Sequence, residues 1–266
     1  MTPIFSNSAF VRAPEALLKR GGAWRAVNLQ VRYGLIRHAS GPILIDTGYT
    51  AESITAPGRS FGLRIYGQLL RPRLIATGQP QAFLARQGLR PQDITRVIVT
   101  HFHADHISGL RQFPNARFTA SARAYARIRQ RSTAGNLRHG IFPDLLPDDF
   151  AARLDPIEHQ AEGPSGRDLL GDGSLFTIDL PGHAEEHFGL YFPQATGGPL
   201  AYGTDAQWLI AALEPSKIPG PPLRWIAESP AALAPSSARL TALRDTGARL
   251  MLCHDPALTA FDEVLP

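Results

Sequence analysis

Residues 101–106 read His-Phe-His-Ala-Asp-His, and no other stretch of the chain restricts its fold and chemistry as tightly. With nine His in 266 residues, three His and an Asp at set places amount to a ~5 × 10⁻⁴ event over the chain on composition alone. The motif directly follows Val97-Ile98-Val99-Thr100, a β-branched run too short for a helix and apolar enough for a buried strand. A ligand-rich loop at the end of such a strand stands on rigid backbone yet opens toward entering substrates. Imidazole nitrogens and carboxylate oxygens suit zinc and similar divalent cations. The single cysteine excludes a disulfide scaffold and a site built on several thiolates, so any metal must rest on His, Asp and Glu.

Hydrophobic residues are 44% and charged residues 19%, which excludes a natively unfolded chain. Pro and Gly are scattered as turn punctuation and not pooled into a linker, which favours one domain over 1–266. No apolar run approaches the roughly 18 residues of a membrane span, and no basic segment followed by an apolar run opens the chain. The expectation is a soluble, cytoplasmic protein with no membrane partner.

The formal charge of +4 invites a nucleic-acid reading. Six Arg and no acid lie between Ser53 and Gln92, and seven more Arg, again with no acid, between His106 and Pro143. Eleven of the 23 acids fall between Asp144 and Glu186. Nucleic-acid surfaces mix Lys with Arg and interleave aromatics, whereas this chain has two Lys and few aromatics in its Arg-rich stretches. Solvated helix faces are expected there, and no nucleic-acid partner; an anionic substrate or a subunit contact, leaving room for a homodimer, is the other reading.

Val27 to Ile36 and Ile43 to Ile45, parted by Ser40-Gly41-Pro42, read as a hairpin ending at Asp46-Thr47-Gly48. Helices are expected over 81–87, 121–130 and 236–246, and strands over 175–180, 190–192, 200–203 and 249–253. The stretch 56–75 fits neither period and reads as an apolar, basic insertion. Gly140 to Phe150 reads as a lid or a packed loop. Pro181-Gly182-His183, Gly203-Thr204-Asp205 and His254 each follow an apolar run, so folding could bring them to one edge with the histidine motif. His38, His139 and His159 show no partner pattern.

Taken together, Leu44-Ile45-Asp46-Thr47-Gly48, the 101–106 motif, Pro181-Gly182-His183, Gly203-Thr204-Asp205-Ala206 and Cys253-His254-Asp255 resemble the metallo-β-lactamase superfamily, in its order and over nearly the whole chain. The resemblance implies an α/β fold, a four-layer αββα sandwich, with two divalent metal ions, zinc being the first expectation. It implies that His101, His103 and His183 hold one metal and Asp105, His106 and His254 the other. Asp205 would bridge them, Asp105 and Asp205 would be catalytic, and Asp46 would steady the ligand loop. His187 in the same motif is expected to support the site without ligating. The implied activity is hydrolysis of a small-molecule substrate by a hydroxide shared between the metals.

The Gly203–Ala206 and Cys253–Asp255 segments and the insertion look most similar to the N-acyl-homoserine-lactone hydrolase branch, whose reaction quenches quorum signals. Phe61, Leu63, Ile65, Tyr66, Leu69 and Leu70 could line an acyl pocket, with a surface or dimer contact the competing reading. Trp208 stands where that branch often has a Tyr donor; an indole N–H donates but cannot exchange a proton as a phenol does. The alternative is a thioester or other ester hydrolase of the hydroxyacylglutathione-hydrolase type, with Arg123, Arg127, Arg129, Arg131 and Arg138 recognising an anionic group. A catalytically silent binding module of the same fold is the remaining alternative.

Overall fold

A computed structural model describes residues 1–54, 56, 58–157, 166–221 and 223–263. The chain opens with β1 (Ile4–Pro14), α1 (Glu15–Leu18), β2 (Ala26–His38), β3 (Gly41–Ile45), α2 (Ala51–Ile54), α3 (Phe61–Leu70), β4 (Arg73–Leu74) and α4 (Pro80–Arg86). It continues through β5 (Arg96–Ile98), α5 (Ala104–Ile107), β6 (Arg117–Ser121), α6 (Ala122–Gln130), α7 (Thr133–Arg138), α8 (Phe150–Arg153) and β7 (Leu154–Ile157). β8 (Phe176–Asp179), β9 (Phe188–Phe192), β10 (Leu200–Tyr202), α9 (Leu223–Ile226), α10 (Leu233–Asp245) and β11 (Arg249–Met251) complete it. A seven-stranded sheet runs β4-β1-β2-β3-β5-β6-β7 and a four-stranded sheet β11-β10-β9-β8. No described helix is long and apolar enough to cross a membrane.

Two compact units emerge, one from the described residues of 3–12, 30–158 and 260–266, the other from those of 1–2, 13–29 and 159–259. In the first, the β2–β3 hairpin pairs Gly34 with Ile45 through to His38 with Gly41, and β3, β5, β6 and β7 then run parallel. Short parallel strands buried on both faces read as continuous apolar runs, which is why Val97-Ile98 was legible. Leu35, Leu44, Val97 and Phe118 form its core with Phe83 and Leu84 of α4 and Phe150 of α8. Phe118 and Phe150 stack at 5.0 Å between centroids, interplanar angle 9°. Ser121 caps α6 by accepting the Ala124 N–H at 3.1 Å, and Gly88 takes φ 71 beyond α4.

In the second unit, β8 and β9 form an antiparallel pair and β10 runs parallel to β11 with Tyr202 opposite Met251. Ile178, Leu180, Ala201, Leu240 and Leu252 make one core cluster, and Leu18, Leu29, Leu209 and Ala212 another. Gly203 exists because α10 lies close: a Cβ there would stand 2.5 Å from Leu240 Cδ1 and 2.9 Å from Leu252 Cδ2. The helix starts at Leu233, three residues before the expected Ser236, since Pro235 in its first turn is compatible with helix geometry.

β1 and α3 are among the elements that escape sequence reading. β1 is polar at Ser6, Asn7 and Ser8, yet Ser8 Oγ donates to the Val31 carbonyl at 3.0 Å and Asn7 Oδ1 accepts the Val31 N–H at 2.8 Å. Helix α3 lies inside the insertion; its Leu63 is buried and Tyr66 and Leu70 pack on the core, while Phe61, Ile65 and Leu69 face solvent. Apolar residues on two faces leave no single stripe at the 3.6-residue period. The segment 140–150 is a packed loop, with Ile141, Phe142, Leu145, Leu146 and Phe150 buried.

The tail of the chain is pinned to the first unit by a buried ion pair. Arg32, fully buried on β2, donates from Nε to Asp262 Oδ1 at 2.6 Å and from Nη2 to Oδ2 at 3.2 Å. Removing one partner strands a desolvated charge. Asp262→Ala is expected to lower unfolding free energy by about 3–5 kcal/mol in urea titration, with Arg32→Met added on top recovering part of the loss.

Candidate functional site

In the first unit, Asp46 and His101 leave the carboxyl ends of neighbouring parallel strands, where ligand sites of α/β sheets gather. Asp46 N–H donates to the Ile98 carbonyl at 2.8 Å and Asp46 itself adopts φ 56, a left-handed conformation that Asp tolerates better than most residues. Its fully buried carboxylate accepts the Thr100 N–H at 2.9 Å and the Thr100 hydroxyl at 2.8 Å, and meets His106 Nδ1 at 2.9 Å. The carboxylate oxygen can only accept, so Nδ1 carries a proton, and in the neutral ring the lone pair is on Nε2. Thr100, having given its proton to Asp46, accepts from His101 Nδ1 at 3.2 Å, which fixes the same tautomer there.

The ligand loop is held as firmly. Thr47 N–H and hydroxyl both donate to the His106 carbonyl, at 2.9 and 2.8 Å. His103 forms a bridge with Ile141, and Ala104 N–H donates to the Gly140 carbonyl. His101 and His103 bring one ring nitrogen each within 4.8 Å of the other, and the His101 and His106 rings lie 3.9 Å apart between centroids. His106 Nε2 stands 3.8 Å from Asp105 Oδ2. Three crowded imidazoles beside a carboxylate are donors of the kind that could hold a cation.

The second unit builds its part by the same register logic. Three residues beyond the opposed Tyr202 and Met251 come Asp205 and His254, again at the carboxyl ends of parallel strands. Gly203 N–H donates to the Met251 carbonyl at 2.8 Å and Cys253 N–H to the Thr204 carbonyl at 2.9 Å, so the ladder continues to the site. His254 Nε2 lies 2.9 Å and His183 Nε2 3.4 Å from the same oxygen, Asp205 Oδ2. Two imidazole nitrogens converging on one carboxylate oxygen fit a carboxylate that serves metal ligands on both sides. The His183 loop is anchored by Ser229 N–H to the Gly182 carbonyl at 2.9 Å and Glu228 N–H to the His183 carbonyl at 3.3 Å.

Trp208 is half-buried against Leu209 and Ala212 and meets the His254 ring edge-on at 5.6 Å. Of the suggested acyl-pocket residues, Leu63, Tyr66 and Leu70 are committed to packing, with Tyr66 4.9 Å from the Phe142 ring; Phe61, Ile65 and Leu69 are exposed. His38 lies in the hairpin turn, bonded to Ser40 Oγ at 2.7 Å, and His139 closes α7. His159 lies outside the described residues.

Three residues support the candidate ligands through hydrogen bonds. Thr100 links Asp46 to His101. His187 is fully engaged away from any ligand position: Nδ1 donates to the Leu180 carbonyl at 2.8 Å, which leaves Nε2 to accept the Thr204 hydroxyl. Asp255 accepts Ile210 N–H at 2.7 Å and Ala257 N–H at 3.0 Å, tying the His254 segment to the one that carries Trp208. Only His187 stood out in the sequence, and then as a pattern partner of His183.

The model of the metallo-beta-lactamase superfamily matches residues 26–196. An N-acyl homoserine lactonase, AttM, of Azorhizobium caulinodans is 26% identical over 237 residues, 86% of this chain and 82% of that protein. A solved N-acyl homoserine lactone hydrolase with N-hexanoyl-L-homoserine bound at its catalytic metal centre has a TM-score of 0.72, is 18% identical, and is matched over 96% of this chain and 95% of its own. The dizinc quorum-quenching lactonase AidC gives a TM-score of 0.66 at 18% identity, over 96% of this chain and 87% of its own. The chain therefore has the α/β fold of these enzymes.

The tautomer argument is open to test. Asp46→Asn keeps a residue type that tolerates φ 56 but places an amide where His106 Nδ1–H needs an acceptor, favouring the tautomer with a proton on Nε2. Cation retention against a competing chelator is expected to weaken about 10- to 100-fold, with the circular dichroism spectrum unchanged.

Proposed function

The chain belongs to the metallo-β-lactamase superfamily, and from that premise we propose that it is a binuclear metal-dependent hydrolase that opens the lactone ring of N-acyl-homoserine-lactone-like substrates. The observation that carries the reading is the Asp205 carboxylate oxygen met by the Nε2 atoms of both His183 and His254. The lactonase relative, matched over 86% of the chain, supports the substrate class. In this proposal His101, His103 and His183 would hold one cation and Asp105, His106 and His254 the other, with Asp205 shared, as the family resemblance implies. Zinc is the proposed cation, since imidazole and carboxylate donors suit it. When bound, the pair would acidify a water toward neutral pH and polarise the scissile carbonyl.

The chain's own side chains do the rest. Asp46 and Thr100 engage Nδ1 of His106 and His101, which turns Nε2 of each ring toward the proposed cations. Asp105 is the second carboxylate of the proposed ligand set, and its position next to His106 Nε2 offsets cation charge locally. Trp208, set edge-on to His254, is the proposed donor to the substrate carbonyl through its indole N–H. The one cysteine is buried and cannot close an intrachain disulfide, which suits a reducing compartment, and the cytoplasm is the proposed location.

Purified protein is expected to carry about two metal ions per chain by elemental analysis, in line with a two-metal mechanism. With metal loaded, long-acyl homoserine lactones should be turned over faster than matched thioesters, aryl esters and phosphodiesters; a preference for anionic thioesters would overturn the lactone assignment. Asp205→Asn should cost at least about 100-fold in kcat with a small change in thermal midpoint. Trp208→Phe preserves the aromatic edge against His254 but removes the donor, and should lower kcat/KM about tenfold or more at unchanged metal content.

A further inference from the structure

Helix α3 carries a second amphipathic face that the proposed hydrolysis does not use. Phe61, Ile65 and Leu69 follow one another at intervals of four, so they lie in one row along the helix. They are 70%, 38% and 78% exposed, an unusual display of large apolar side chains on one ten-residue helix. Leu137 adds to the patch; it is itself exposed, and its Cδ1 stands 3.5 Å from where a Cβ on Gly62 would be. The inward face, with Leu63 buried and Tyr66 and Leu70 packed on the core, fixes the helix in place, so the outward row is a property of the fold.

Charge separates the candidate occupants of this face. Arg64, Arg71 and Arg73 are exposed around the row, and among the described residues none of them meets a carboxylate. Arg64 lies 6.0 Å over the Phe61 ring, Arg73 lies 5.1 Å over the Phe10 ring, and Arg71 donates to the Gln68 carbonyl. The two acids at the start of the helix are otherwise engaged: Glu52 stands 3.9 Å from Arg59, and Asp144 accepts from Ser60. A two-fold contact that laid this row on its own image would set these arginines against each other, with Glu52 and Asp144 already engaged. A neutral acyl chain would cover the row and leave the cations unmatched. A surface that is apolar in depth and anionic at its rim matches both features, and that is the chemistry of an acidic phospholipid leaflet.

We propose that α3 is a reversible contact with an anionic membrane surface, in which Phe61, Ile65 and Leu69 enter the acyl boundary and Arg64, Arg71 and Arg73 reach lipid phosphates. Such contact needs no spanning helix. A ten-residue face with three cations makes it weak and salt-sensitive, able to release the protein as ionic strength rises.

The test is sedimentation of the intact protein with sucrose-loaded vesicles, read without any turnover so that it stands apart from the substrate assignment. Binding is expected to vesicles of phosphatidylcholine with 30% phosphatidylglycerol, to fall at least fivefold on phosphatidylcholine alone, and to fall at least fivefold between 50 and 500 mM salt. The double variant Phe61→Ser/Leu69→Ser and, separately, Arg64→Gln/Arg71→Gln should each lower the partition coefficient at least fivefold while keeping the wild-type thermal midpoint. No binding to the acidic vesicles, or equal binding to both compositions, would overturn the proposal. So would light scattering that shows a dimer abolished by Phe61→Ser/Leu69→Ser, which would assign the face to a second copy.

Discussion

A carboxylate with no exposure, Asp46, sets the conditions for everything built on the first unit's parallel strands. Burying that charge unpaired would cost several kcal/mol, on the order of a domain's whole stability. Three donors meet it instead, two from Thr100 and one from His106. Each comes from the segment following β5, while Asp46 closes β3, so satisfying the charge aligns the ends of both strands. The same hydrogen bond that removes the burial penalty chooses the His106 tautomer. Fold stability and readiness for a cation are therefore one interaction seen from two sides.

The second unit reaches a similar end without a buried carboxylate as anchor. His187 holds the Thr204 hydroxyl and the Leu180 carbonyl, one at each ring nitrogen, and so spaces the β8 end from the β10 end. Thr204 at φ 44 and Glu186 at φ 50 are strained positions for residues with a Cβ; the first precedes the candidate ligand Asp205 and the second precedes His187. A strained backbone persists only when its surroundings over-determine it; here the His187 bonds, the Cys253 N–H bond to the Thr204 carbonyl and the close approach of Leu240 to Gly203 do so. An imidazole in this role puts no further carboxylate beside Asp205.

What could be read in the sequence follows from how far apart the cooperating residues lie. The histidine motif is compressed into six residues, so its improbability is visible without a structure. Asp205 and His254 are 49 residues apart and became candidates only through their place after apolar runs; the Tyr202–Met251 register explains why that place is equivalent in both. Asp255, Thr100 and the partners of His187 act through a few hydrogen bonds each, to backbone, to a carboxylate or to one hydroxyl, which leave no pattern of spacing. β1 and α3 were hidden for opposite reasons. One buries polar side chains that find backbone partners, and the other exposes apolar ones.

The segregation of charge along the chain dissolves when the first unit folds. Arg111 of an acid-free stretch pairs with Asp148 of the acidic one at 2.9 Å, Arg96 lies 3.8 Å from Asp155, and Arg86 meets Glu263 at 2.6 Å. Arg59 donates to the Asp144 carbonyl at 2.7 Å. Such pairs near the surface contribute little each, about 0–1 kcal/mol, so the arginine bias is poorly explained as a device for stability. Its effect is on what remains uncompensated. An acid-free run of sequence is no measure of a cationic surface, because acids distant along the chain return to answer it. Only after those pairings are removed does a residual charge mean anything about partners, and Arg64, Arg71 and Arg73, around α3 and β4, belong to that residual charge.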